Sequence, residues 1–254
     1  MRQMLKDQEV GLDPHFRYRG KNQTRLEAFT DAAFALGITL IVLSSSVPNT
    51  FDELWMSLKE VLPFGLCVVL VMVIWYQHYV FFLRYGLQDI RTITYNTFLI
   101  FLILIYVYPL KFLFVVLFGL YAGLLTGNRE MITYTFTEVI DMGDTRYLMM
   151  IYGIGATLIF GTFCLMYLHA LKKKVDLELD EYEIFETVTT LKVNFLLAFI
   201  PLISSLIAIT GLFGNWNFLA AGLTYMLYPP VMILYGKSRE KKRRILITKL
   251  GLVE

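Results

Sequence analysis

Few side chains in this 254-residue sequence could do chemistry, and they gather near the ends of three long uncharged runs. Arg25, Glu27, Thr30 and Asp31 open the first run, Gln77 and His78 stand late in the second, and Asn96 stands early in the third. A carboxylate, an imidazole, a hydroxyl and an amide at one depth can act in two ways. They can relay a proton, with Asp31 and His78 as the exchangeable sites. Alternatively they can satisfy one another by hydrogen bonding and fix how helices pack, since an unpaired polar group in an apolar medium is costly. Metal chemistry is not indicated, because no group of His, Cys, Asp and Glu has ligand spacing. Cys67 and Cys164 each stand alone in apolar sequence and read as small apolar residues. No CxxC, HExxH or Walker-type run implies a cofactor.

The elements that must position these residues are apolar helices. The chain is 57% hydrophobic and only 17% charged, too apolar for an ordinary soluble domain. Its charges fall in blocks that leave windows long enough to cross a bilayer. Six spans are predicted, over residues 26–47, 61–83, from 92 to about 111, 147–171, 193–210 and 216–235. Residues 112–125 make the third run too long for one simple crossing and read as a kinked extension or an interfacial segment. Pro229 and Pro230 should kink or end the sixth span. Residues 1–22 are polar and charged, without the apolar core of a cleavable signal peptide.

An even number of spans puts both termini on one side. Nineteen of the 23 Lys and Arg lie in the N-terminal segment together with Arg25, the loop after span two, the connector after span four and the tail. The opposite loops hold three, and Lys111 lies near the outer end of span three. Basic residues stay on the cytoplasmic side, so both termini are expected there. Residues 1–24 form an N-terminal segment, 25–235 the membrane domain, and 236–254 a basic tail expected to face lipid headgroups. Lys172 to Lys192, three lysines followed by six acids, extends helices beyond the membrane.

In that topology Thr30 and Asp31, Gln77 and His78, and Asn96 all lie roughly 7–9 Å into their spans from the same side. His169 and Asn194 lie near that interface. On the first helix Leu36, Thr39 and Leu43 recur at three- and four-residue steps and share one face. Asp31 is about 140° from Leu36, so the acid and the apolar face point different ways. On periodicity alone the Leu36 face suits lipid or a neighbouring helix, and a lone threonine commonly bonds its own backbone.

Arg25-x-x-x-Phe29-Thr30-Asp31 resembles the Arg-x-x-x-Phe-Ser-Asp signature of the lysosomal potassium channel family, and above all its bacterial members with one six-helix unit per chain. His78 after Trp75, and Asn96 before Pro109, also resemble the family pattern. The departure is Thr30, where the family usually has serine. The likeness covers spans one to three in detail and the rest by span count. It implies an all-α homotetramer in the cell membrane whose first helices line a central pore, with no re-entrant filter loop, and this chain has no TVGYG-like run. Its partners would be lipid, potassium and other monovalent cations, and further copies of itself, with no cofactor and no nucleic acid. By position, Leu36 and Leu43 would form the hydrophobic constriction and Thr39 the selectivity layer. Arg25, Phe29, Thr30, Asp31, His78 and Asn96 would form the packing network behind them. The competing reading is a proton-coupled secondary transporter using Asp31 and His78. An enzyme is not expected.

Overall fold

The computed structural model describes residues 13–43, 48–59, 61–140 and 143–252. Nine α-helices follow one another among these residues: α1 Arg25–Leu43, α2 Phe51–Lys59, α3 Val61–Tyr85, α4 Ile90–Thr126, α5 Arg129–Tyr134, α6 Thr145–Lys172, α7 Glu181–Thr210, α8 Asn217–Leu223 and α9 Tyr228–Leu250. A π-turn over Thr135–Val139 and two 3-10 turns, Gly214–Trp216 and Thr224–Leu227, complete the order. No strand occurs among the described residues.

Six stretches are long and apolar enough to cross a membrane: Val61–Tyr85, Ile90–Val107, Pro109–Thr126, Thr145–Lys172, Glu181–Thr210 and Asn217–Leu250. The second and third are halves of α4, which is continuous over 37 residues with Pro109 inside it. At 1.5 Å per residue α4 is about 55 Å long, well beyond a hydrocarbon core of roughly 30 Å. Residues 112–125 are therefore a helical continuation of span three. Helix α1 covers most of the first predicted span and carries Arg25, Glu27 and Asp31 in its first two turns. The end of that span, residues 44–47, lies outside the described residues.

Local chemistry accounts for the helix starts. The Thr24 hydroxyl donates to Glu27 Oε1 at 2.8 Å and accepts from the Glu27 amide at 3.2 Å, while the Thr24 amide donates to Glu27 Oε1 at 3.0 Å. This reciprocal cap begins α1. Asp89 caps α4 by accepting from the Thr92 amide, and Asp180 with Glu183 forms a capping box on α7. Span six is not one helix. Pro229 and Pro230 lie in the first turn of α9, after a 3-10 turn, where a missing N–H leaves nothing unpaired.

One hydrophobic core joins α1, α3, α4 and α6, with Phe34 and Ile41, Val71 and Phe81, Leu99 and Ile103, and Phe163 and Tyr167 among its buried residues. Helices α6 and α7 pack closely along their lengths. Gly153 permits this: a Cβ there would lie 2.0 Å from Ser205 Oγ and 2.8 Å from the Pro201 carbonyl.

The boundary expected at 235/236 falls inside α9, and residues 1–12 lie outside the described residues. Arg239 and Arg243 of α9 pair with Glu186 of α7, and Lys249 pairs with Glu181. Arg243 also reaches Asp13 at 3.3 Å. At least three basic tail residues thus pair with carboxylates that α7 presents alongside α9.

The first helix and its polar anchor

Helix α1 has two unlike faces. Glu27, Thr30, Phe34, Gly37 and Ile41 are buried, at the three- and four-residue steps of a face packed on α3 and α4. Arg25, Ala28, Phe29, Ala32, Ala35, Leu36, Thr39 and Val42 are exposed and form a stripe along the other side. Phe29 is 64% exposed and Leu36 52%, whereas Ile41 is fully buried. Thr39 lies on this stripe, its hydroxyl donating to the Ala35 carbonyl at 2.9 Å. The side chain of Leu43 lies outside the described residues.

The buried face carries a directed chain of hydrogen bonds. Nε2 of His78 lies 2.8 Å from Asn96 Oδ1. Asn96 Nδ2 donates to Thr30 Oγ1 at 2.7 Å, and the Thr30 hydroxyl donates to the Leu26 carbonyl at 2.8 Å. With the Asn96 oxygen facing it, His78 carries its proton on Nε2, and Nδ1 is left as a buried acceptor without a partner. Thr30 and Asn96 have no exposed surface and His78 almost none. Three helices, α1, α3 and α4, are therefore joined through one amide.

Asp31 belongs to a separate pair of bonds. Its Oδ1 accepts from Trp75 Nε1 at 2.8 Å and its Oδ2 from Gln23 Nε2 at 2.9 Å. Sequence reasoning put Asp31 together with His78 and Asn96. The structure separates them because the neighbouring Thr30 and Asp31 diverge by about 100° around the helix. Trp75 stands one turn before His78, so α3 presents an indole to the acid and an imidazole to the amide. Gln77 takes no part in this chain. Arg25 and Phe29, expected in the network, stand on the exposed stripe instead.

The other polar residues near this end bond elsewhere. His169 Nε2 donates to Asp89 Oδ2 at 2.6 Å, and Lys173 Nζ lies 3.1 Å from the same oxygen. Burial alone would raise the Asp89 carboxyl. The donors Thr92, His169 and Lys173 outweigh it and hold the group well below the usual carboxylate range. Asn194 Nδ2 donates to the Thr190 carbonyl in its own helix. Among the described residues no group of three or more His, Cys, Asp and Glu could hold a metal ion.

Long apolar helices joined by buried polar bonds, with one helix exposing a continuous stripe, define a multi-pass membrane protein. Residues 25–109 match the family described as endosomal/lysosomal potassium channel TMEM175. A protein named "Potassium channel" from Marivirga tractuosa is 48% identical over 239 residues, covering 94% of this chain and 96% of that protein. A crystal structure of a threonine-to-alanine variant of the potassium channel MtTMEM175, in complex with a nanobody–MBP fusion, superposes with a TM-score of 0.81 at 48% identity. The match covers 91% of this chain and all of that one. The chain belongs to the TMEM175 potassium channel family.

Proposed function

We propose that this protein is a potassium-selective or weakly selective cation channel of the cell membrane, assembled as a homotetramer with α1 of each copy around a central axis and both termini in the cytoplasm. The relatives named as potassium channels support the class of activity. The observation that carries the arrangement is the exposed stripe from Phe29 to Val42, opposite the buried face held by Thr30 and Asn96. Ala28, Ala32 and Ala35 on the stripe let helices approach closely. Leu36, with Leu43, supplies aliphatic rings that offer an ion no ligand and exclude water when narrow. Thr39, between them, supplies a ring of hydroxyl oxygens. In this reading Thr30, Asp31, His78 and Asn96 fix α1 to its own subunit, while Arg25 and Phe29 lie at the subunit contact.

The proton-coupled transporter reading is weaker on this geometry. Asp31 bonds to Trp75 and Gln23, and His78 bonds to Asn96, so the two exchangeable groups share no hydrogen bond. Single-channel recording from purified protein in bilayers tests the proposal. Unitary ohmic steps are expected, and slow saturable flux would replace the channel with a carrier. Under bi-ionic potassium and sodium, Thr39→Ala is expected to move the reversal potential toward zero and Thr39→Ser to keep most of the preference. Unchanged values in both would remove Thr39 from the selectivity layer.

A further inference from the structure

The segment before α1 is a strap fastened at several points. The amides of Arg19 and Gly20 donate to the carbonyls of Arg84 and Leu83, at 3.4 and 3.0 Å. These carbonyls end α3 and have no partner within their own helix. The fit at Gly20 is close: a Cβ there would lie 2.1 Å from the Phe82 carbonyl oxygen. The strap's side chains reach α7. Arg19 grips Glu183 with two nitrogens, at 3.0 and 2.7 Å. Arg17 adds its amide at 2.9 Å and its guanidinium at 3.1 Å, and also donates to the Glu178 carbonyl. At the strap's start, Asp13 accepts from Tyr182 at 2.5 Å. Four residues after Gly20, Thr24 caps α1.

Glu183 is therefore a fully buried carboxylate on which both strap arginines converge. Glu186, one turn later and nearly as buried, receives Arg239 and Arg243 of α9 instead. Glu183 thus holds the strap directly, whereas Glu186 holds α9, whose Arg243 also reaches Asp13 at the strap's start. A buried carboxylate with charged donors on both oxygens holds its partners strongly, and removing its charge leaves them unpaired.

We infer that Glu183 is a positioning residue for the pore: through Arg17 and Arg19 it holds the strap on α3 and α7 and so sets the placement of the first turns of α1. This rests on the reading of α1 as the pore helix. Replacing the carboxylate by an amide turns an –NH2 group toward the arginine donors and frees the strap. The capping box between Thr24 and Glu27 then loses its fixed approach.

The test compares full-length Glu183→Gln, Arg17→Gln and Glu186→Gln. Arg17 is half exposed, so its variant folds even where Glu183→Gln gives little protein. Hydrogen exchange of the amides from Asn22 to Thr30 is read beside unitary currents. Glu183→Gln is expected to exchange about tenfold faster there and to change open probability. Arg17→Gln should move both in the same direction by less, and Glu186→Gln, which reaches the strap only through Arg243 and Asp13, should move both less than Arg17→Gln does. Unchanged exchange in Glu183→Gln and Arg17→Gln overturns the inference, as does altered exchange with wild-type currents. An equal effect from Glu186→Gln also overturns it, because the whole end would then loosen together. If wild-type protein carries no unitary current, the channel reading fails, and exchange alone still decides whether Glu183 positions α1.

Discussion

Asn96 donates to Thr30 at 2.7 Å while accepting from His78 at 2.8 Å, so one buried amide ties α1, α3 and α4 together by side-chain bonds. Removing it strands two groups at once. Asn96→Ala leaves the His78 N–H without an acceptor and takes the donor from Thr30, which keeps its bond to the Leu26 carbonyl. An unsatisfied buried group costs about 1–3 kcal/mol. Asn96→Ala is therefore expected to lower the thermal midpoint of the assembled protein clearly, as read by size-exclusion after heating. Thr30→Ser keeps the hydroxyl and should fall near wild type, whereas Thr30→Val should behave like Asn96→Ala. Equal midpoints for Thr30→Ser and Thr30→Val would mean that the hydroxyl does not matter.

Asp31 and Trp75 form the second tie between α1 and α3. Trp75→Phe keeps an aromatic ring but removes the indole donor at 2.8 Å, which is expected to cost about 1.5–3 kcal/mol, the value of a bond to a charged group. Asp31→Ala removes this bond and the one from Gln23. Both should lower the yield of assembled protein more than they change ion preference. A Trp75→Phe protein of normal stability with altered selectivity would place Asp31 in the conduction path instead.

Acid should loosen the junction between α4 and α6 through Asp89. Its folded-state pKa lies below the unfolded value near 4. Its stabilisation is thus complete above about pH 4 and is lost as pH falls through the folded value. Asp89→Asn keeps an N-cap side chain but loses the charge facing Lys173 and the bond strength toward His169. It should melt below wild type at pH 7, and the gap should narrow as pH drops below about 4. Asp89→Ala also loses the cap, worth about 1 kcal/mol more. A gap that stays constant down to pH 3 would show that the carboxylate's charge is not what holds the junction.

The all-helical architecture and most helix positions were legible because uncharged runs bounded by charge blocks leave a membrane chain little choice. That Thr30, His78 and Asn96 share one level, with Asp31 beside them, was legible for the same reason, since rise per residue converts position into relative height. Which of them touch was not. Neighbours such as Thr30 and Asp31 differ by a rotation that only packing against α3 and α4 fixes, and Trp75 became the acid's partner by standing one turn from His78. The buried pairing of Glu183 and Glu186 was hidden in a connector whose charges read only as helices extending beyond the membrane. Their burial depends on Arg17 and Arg19, more than 160 residues away, and on Arg239 and Arg243, more than 50 away. No local pattern reports pairs at that separation. Of the two readings open for residues 112–125, the continuous α4 through Pro109 fits the extension and not a separate interfacial segment, a choice that hydropathy alone could not make.

The exposed stripe of α1 gives the sharpest test of the pore assignment. Leu36 is half exposed and Ile41 is fully buried, about 140° apart around the helix. Under the proposed tetramer Leu36 faces the axis, while Ile41 faces its own subunit's core with Phe34 and Ile103. A cysteine at Leu36 is expected to react with a small water-soluble thiol reagent when water fills the constriction, and four modified side chains should block current. A cysteine at Ile41 should stay unreactive, because no water reaches it. Cys67 and Cys164 are free thiols, so both are replaced by alanine or serine in the background used. Leu36→Ala should widen the ring, raising unitary current and weakening discrimination among cations, since an aliphatic constriction acts by excluding water. If Ile41→Cys proved reactive and current-blocking while Leu36→Cys stayed silent, the helix would be turned the other way in the assembly and the pore face would have to be reassigned.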